Sequence, residues 1–334
     1  MRRQNHSSLK LQYKTIKLGL LLSGAIALQA HAQTNVNIYG NLDVSLGKES
    51  GQSVAMGRGY NNWLGFKGQE DLGNGLSATF HLQTRFIPAT GEQERSTTFF
   101  QGESTVGLKS NTLGSVRLGR AITPLWNHIW LFEPWYNSGF NGSLASYQTG
   151  SYSSDGINDV ALGYANFSRI GSSVFYDSPN LSGFRLVMAG KVEKSPFAKT
   201  RNVGMTLHYA KDALAALASY ERNDNNDRIY FLSSSYTFSK LAIMGSYAQT
   251  KLVGTNAVAA GRSKERLMLL AATYAIGTDT IKTGYGRHQD NGNHKVSLGY
   301  SHRLSKRTAL YADVYREKIV ANKNGYAIGM SHTF

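Results

Sequence analysis

Val36-Asn37-Ile38-Tyr39-Gly40-Asn41-Leu42-Asp43-Val44-Ser45-Leu46 alternates without a break. Val36, Ile38, Gly40, Leu42, Val44 and Leu46 take the even positions, and Asn37, Tyr39, Asn41, Asp43 and Ser45 the odd ones. Successive side chains of a strand point to opposite faces, so the stretch reads as a strand with one apolar and one polar face. Soluble strands run to about five or six residues. A tilted strand that crosses a bilayer needs about nine to eleven, and this stretch has that length.

The same alternation recurs. Leu76, Ala78, Phe80 and Leu82 face away from Ser77, Thr79, His81, Gln83 and Arg85. Val106 and Leu108 oppose Gln101, Glu103, Thr105 and Lys109, and Val203, Met205, Leu207 and Tyr209 oppose Asn202, Thr206 and His208. At 325–334, Tyr326, Ile328, Met330 and Phe334 oppose Ala327, Gly329, Ser331 and Thr333.

Short turn signals alternate with longer polar gaps. The short ones lie at 70–75, 110–114, 178–183, 211–212, 239–240, 277–279 and 305–307. The longer ones lie near 47–61, 87–98, 121–168, 193–201, 221–227, 249–265, 288–294 and 316–324. Seven short and eight long connections predict 16 strands, and an even count lets the first and last strands pair and close the sheet. Short turns on one side and long loops on the other mark an outer-membrane barrel. All five prolines, Pro88, Pro124, Pro134, Pro179 and Pro196, fall in connections, as proline must when it cannot donate to a ladder. Tyrosines recur near strand ends (Tyr164, Tyr176, Tyr236, Tyr247, Tyr274, Tyr300), where interfacial girdles of a barrel place rings with one wet and one greasy end. A soluble β-sandwich is the alternative, but the polar faces are too extensive and the apolar faces too thin for two sheets sharing one core.

The N-terminus carries a separate signal. Arg2, Arg3, Lys10, Lys14 and Lys17 precede the apolar run Leu18–Leu28, and Ala30-His31-Ala32 follows as an A-x-A pattern. The reading is a cleaved signal peptide over 1–32 and a barrel domain over 33–334. Five basic and no acidic residues leave with it, so the formal charge falls from +15 to +10 (15 − 5). An exported chain whose basic residues are dispersed gives no nucleic-acid partner. The chain has no cysteine, which suits export. No P-loop, dinucleotide fingerprint or metal-protease motif is present, and the histidines, with His81 and His208 alone on polar faces, make no nucleophile or metal pattern. No enzyme, cofactor or metal is expected.

The exception to strand alternation is Ala121–Ser168. It holds Trp126, Trp130 and Trp135, three of the four tryptophans, with Phe132, Tyr136, Phe140, Tyr147 and Tyr152. So long a connection is functional or disordered, and its aromatic density speaks against disorder. By parity, Lys67, Arg85, Lys109 and Arg117 face the polar interior, and Arg120 follows where the chain enters the long connection. Together they make a basic wall on the second to fifth strands. The carboxylates available to oppose it are Glu133, Asp155 and Asp159.

The whole of 33–334 resembles the general porins of the Gram-negative outer membrane, in particular the neisserial and burkholderial type. Val36–Asp43 looks like that family's first strand. Trp63-Leu64-Gly65-Phe66-Lys67-Gly68 with Glu70–Leu76 looks like its second strand and first turn. Val106-Gly107-Leu108, Leu113-Gly114 and Leu118-Gly119-Arg120 are similar to its fourth and fifth strands. Tyr176–Phe184, Leu304–Ala312 and the C-terminal Ile328–Phe334 follow its motifs in order. The resemblance implies an all-β, 16-stranded antiparallel transmembrane β-barrel with the third long loop folded into the lumen as a constriction. It also implies a homotrimer among outer-membrane lipid and lipopolysaccharide, with Phe334 as the signal read by the barrel assembly machinery.

The function expected is a passive, water-filled diffusion channel for small hydrophilic solutes and ions in the outer membrane. Its eyelet is mainly basic and therefore anion-preferring. The pore residues expected are Lys67, Arg85, Lys109, Arg117, Arg120, Glu133, Asp155 and Asp159. For the loop aromatics Trp126, Trp130, Phe132, Trp135 and Tyr136, packing against the wall competes with stacking on sugars or aromatic acids, which would make a substrate-preferring channel. A barrel with a mainly adhesive or anchoring role is the alternative from another class.

Overall fold

The computed structural model describes residues 35–136, 141–150, 167–194, 196, 198–319 and 321–334. Among them the chain forms a closed antiparallel barrel of 16 strands. In chain order these are β1 (Asn35–Glu49), β2 (Trp63–Gly73), β3 (Leu76–Arg85), β4 (Glu103–Ser110), β5 (Gly114–Ile122), β6 (Arg169–Asp177), β7 (Phe184–Lys191) and β8 (Val203–Lys211). They continue as β9 (Leu214–Arg222), β10 (Arg228–Phe238), β11 (Leu241–Lys251), β12 (Lys264–Ile276), β13 (Asp279–His288), β14 (His294–Arg303), β15 (Thr308–Lys318) and β16 (Asn322–Thr333). A detached piece, Ala55–Gly57, prolongs the line of β2 and pairs with β1 through Ser45↔Gly57 and Gly47↔Ala55.

Neighbours in sequence are neighbours in the sheet, and β1 closes it. Its lower part pairs with β2 from Asn35↔Gln69 to Asn41↔Trp63, and its upper part with β16 from Asn41↔Thr333 to Glu49↔Gly325. Phe334 seals the junction. Its backbone exchanges two hydrogen bonds with Gly40, of 3.1 and 3.2 Å, and a Cβ on Gly40 would collide with the Phe334 ring.

Burial is inverted relative to a soluble protein. In β1 the apolar Ile38 is 62% exposed, whereas Asn41, Asp43 and Ser45 on the other parity are buried. Val106, Leu108, Met205, Leu207, Ile328 and Met330 are likewise exposed, while Thr206 and Ala327 are buried. A polar inner face and an apolar outer face are what a bilayer selects, since every backbone group of a closed sheet is paired. The girdle tyrosines Tyr236, Tyr247, Tyr274 and Tyr300 are exposed among those outer residues, and Tyr164 lies outside the described residues.

The turns follow their chemistry. Between β2 and β3, Asn74 and Gly75 both have positive φ (53° and 75°), the pairing that a tight hairpin demands and that Asn-Gly supplies. Connections contain short helices: α1 (Trp126–Ile129), a 3-10 turn (Trp130–Phe132), α2 (Ser146–Thr149) and α3 (Gly254–Ala260).

Candidate functional site

The polar interior is built from long-range partners. Asp43, fully buried on β1, accepts from Gly59 N–H at 2.6 Å and from the Tyr311 hydroxyl on β15 at 2.8 Å. Asn62 Oδ1 accepts from Asp43 N–H at 2.5 Å. These bonds hold the 58–62 detour against the inner wall. From that detour the Tyr60 hydroxyl accepts from Lys282 Nζ at 2.6 Å, and Lys282 lies on β13.

The basic residues expected from parity fall into three groups. Arg85 and Arg120 join Arg58, Arg95 and Arg169, which parity alone had not gathered with them. Arg58 pairs with Glu94 at 2.5 Å, and Glu94 also accepts from Gln101. Arg120 Nε–H donates to the Gln101 carbonyl at 3.3 Å and Arg169 Nε–H to the Gly102 carbonyl at 3.4 Å. Arg169 lies within electrostatic range of Arg85, Arg95, Arg120 and Glu94. A bulge at Gly119 turns Arg120 here: its φ is +133°, and a Cβ would lie 2.1 Å from the Ser104 carbonyl. Among the described residues, Glu94 is the carboxylate that stands with these five guanidiniums, and all five are half-buried.

Arg117 belongs elsewhere. It binds Glu103 and, at 3.3 Å, Asp177. Glu103 also takes His81 at 3.0 Å, and His81 meets the Tyr39 hydroxyl, so His81 is not the isolated polar residue that parity suggested. Two carboxylates neutralise Arg117 locally. Lys67 and Lys109 are exposed, Lys67 with its ammonium 4.9 Å from the Tyr39 ring centre and Lys109 one residue from the end of β4.

The long connection runs from Ile122 to Arg169 and grips strands far from its ends. Leu125 N–H donates to Glu221 on β9 at 2.7 Å. Trp135 Nε1–H donates to Asp313 on β15 at 2.8 Å, and the Tyr147 hydroxyl donates to Glu317 at 2.9 Å. Leu125, Trp126, Ile129 and Phe132 pack with Leu217, Phe231 and Leu267, and Trp135 and Leu144 pack with Met244 and Leu269. These wall residues have the buried parity of their strands. Glycines admit the connection: a Cβ at Gly284 would lie 2.5 Å from Leu144, one at Gly286 2.5 Å from Tyr147, and one at Gly299 3.0 Å from Trp135.

Glu133 departs from the expectation of a carboxylate facing the basic wall. It is 1% exposed, and it accepts from the N–H groups of Trp135 at 3.1 Å and Leu144 at 2.9 Å. A carboxylate spent on the connection's own backbone braces it instead of presenting charge to water. Asp155 and Asp159 lie outside the described residues. Trp126, Phe132 and Trp135 are buried, which is the packing alternative, whereas Trp130 and Tyr136 are exposed. His208 is not solitary either: its ring centre lies 5.5 Å from that of His128 in α1. Burial pushes the His128 imidazole below its ordinary range, against the Pro124 carbonyl that binds its Nδ1.

Sequence reasoning missed the inner apolar patch on β9–β12. The signal was present, because Leu267-Met268-Leu269-Leu270-Ala271-Ala272 and Ile229-Tyr230-Phe231-Leu232 are apolar on both parities. A strand apolar on both faces is covered on both.

A closed barrel of this length with an apolar outside and a polar inside defines a transmembrane β-barrel channel. The model of the family described as Gram-negative porin matches residues 19–322, and the chain belongs to that family. It is an outer-membrane diffusion channel. Outer membrane porin protein 32 of Delftia acidovorans is 26% identical over 344 residues, covering 94% of this chain and 91% of the relative. An outer membrane porin protein of Bordetella pertussis is 26% identical over 402 residues, covering 96% and 100%. Among solved structures, the anion-selective porin from Comamonas acidovorans has a TM-score of 0.75 at 22% identity, covering 90% of this chain and 100% of that one. An outer membrane protein of Vibrio cholerae in a trimer form has a TM-score of 0.65 at 14% identity, covering 90% and 99%.

Proposed function

We propose that the channel prefers anions and that the Ala121–Ser168 connection narrows its lumen. The observation that carries the preference is the gathering of five arginines, Arg58, Arg85, Arg95, Arg120 and Arg169, in one group with Glu94. A water-filled passage lined by one sign of charge, with low-dielectric walls, concentrates counter-ions of the other sign. The name of the Comamonas structural neighbour, an anion-selective porin, agrees with this reading. The wall residues that Leu125, Trp135 and Tyr147 engage, all of inner parity, support a course for the connection inside the barrel. Lys67, Lys109 and Arg117 contribute to the general field, with Arg117 offset by its two carboxylates.

In the same reading residues 1–32 are a removable export signal, the working unit is a homotrimer in outer-membrane lipid and lipopolysaccharide, and Phe334 is recognised during barrel assembly. The trimer form of the Vibrio neighbour is in keeping with the oligomer. The test is the reversal potential of the purified protein in a planar bilayer under a tenfold KCl gradient. An anion-selective potential is expected, moving toward zero when Arg85 and Arg120 are both changed to Ala. A cation-selective potential in the unmodified protein would refute the proposal.

A further inference from the structure

Among the described aromatics of the long connection, Trp126, Phe132, Trp135 and Tyr147 are buried and Trp130 and Tyr136 stand open to water. Trp130 is 38% exposed and Tyr136 57%. Exposed apolar side chains on the strands lie on the outer parity, where a bilayer accounts for them. These two belong to a segment bonded to inner-parity residues, so lipid does not account for them. Their ring centres are 6.1 Å apart with the planes at 62°, so the pair forms an open corner.

Both rings are held. Trp130 Nε1–H donates to the Asn127 carbonyl at 2.6 Å, which fixes the indole. Tyr136 has φ +54°, the left-handed region that bulky side chains rarely occupy, and its N–H donates to the Glu133 carbonyl at 2.9 Å. Strained backbone that keeps an aromatic ring in water is found where the ring has work to do. Behind Tyr136 lies the buried Lys282, whose Nζ is 5.8 Å from the Tyr136 ring centre and donates to the Tyr60 hydroxyl.

We propose that Trp130 and Tyr136 form a stacking site for small aromatic anions, benzoate being the simplest of the class. The inference rests on the reading of the connection as an anion-preferring constriction and adds the solute class to it. A planar ring lies on one aromatic face while its edge meets the other, the two favoured arrangements of aromatic pairs. Its carboxylate is drawn in by the arginine excess of the proposed constriction.

The test is block of KCl current through the full-length protein in planar bilayers by benzoate, cyclohexanecarboxylate and maltose. Cyclohexanecarboxylate has the charge and bulk of benzoate without the π face, and maltose is a neutral stacking solute. Benzoate is expected to half-block at a concentration at least about fivefold below that of cyclohexanecarboxylate and below that of maltose, in line with stacking on an aromatic side chain. The ratio of the two acids is expected to fall near one in both Trp130→Leu and Tyr136→Leu. Because the ratio is read only from channels that conduct, each variant reports on folded protein. Equal block by the two acids, stronger block by maltose, or a ratio kept in either variant overturns the proposal. A cation-selective reversal potential overturns the constriction reading together with the site. Anion selectivity with a ratio near one overturns the site alone.

Discussion

Replacing Trp135 by Phe tests how the long connection is held. The ring stays aromatic and apolar, but the hydrogen bond to Asp313 is lost. Trp135 is fully buried and its donor lies 2.8 Å from a carboxylate oxygen that is itself buried. A hydrogen bond to a charged group contributes about 1.5–3 kcal/mol net. At about 1.4 kcal/mol per factor of ten, the fraction of molecules with this part of the connection released rises roughly 10- to 150-fold. Hydrogen exchange followed by mass spectrometry reads that fraction. The N–H groups of Trp135 and Leu144, both bonded to Glu133, exchange only when the local structure opens. Their rates are expected to rise by the same factor, while amides of β13 keep theirs. Asp313→Asn, which keeps an acceptor but loses the charge, should give a smaller rise. If Trp135→Phe leaves exchange unchanged within twofold, the bond to Asp313 does not hold the connection and the reasoning fails.

Gly286→Val should press on Tyr147, whose Cβ lies 2.5 Å from where the new carbon would stand. Overpacking of this kind costs about 1–3 kcal/mol, so the exchange of peptide 144–150 should quicken and the heat-resistant mobility on gels should shift to lower temperature. Acid should loosen α1. The imidazole of His128 is held below its ordinary range by burial, with His208, Arg185 and Asp177 also acting on it. The unfolded segment then binds the proton more readily than the folded one, so the stabilisation is complete above about pH 6.5 and declines as the pH falls below it. Current noise should grow from pH 7 to pH 5, and His128→Phe should flatten that rise. Phe334→Ala should reduce the yield of outer-membrane barrel several-fold if assembly reads this residue. Its loss of ring contact with Gly40 should lower refolding in detergent much less, and equal losses in both assays would make its role structural only.

The barrel was legible because its physics acts on each residue separately. Alternation in Val36–Leu46 depends only on pleat and solvent, and the 16 strands follow from counting turns. Parity also named the strand faces of Arg85 and Arg117. It could not show that Arg117 is matched by Glu103 and Asp177, since Asp177 lies 60 residues away and meets it only across β5 and β6. Nor could it gather Arg58, Arg95 and Arg169, which come from two connections and the first residue of a strand. Glu133 looked like a pore charge because its type fits. Its burial follows from the fold of its own connection, which no periodicity encodes. The apolar double face of β10 and β12 was readable and marks where Trp126, Phe132 and Leu144 settle.

With the connection inside the lumen, as proposed, the glycines at 284, 286 and 299 give the barrel a way to set its bore. Strand number fixes the radius of the cylinder, so the free cross-section depends on how deeply the filling lies against the wall. Each missing side chain on β13 and β14 lets Leu144, Tyr147 or Trp135 settle closer to the backbone. On that proposal, wall thickness at three positions becomes a dial for what passes. Small substitutions there would grade the bore in steps without any change to the sequence of the filling itself.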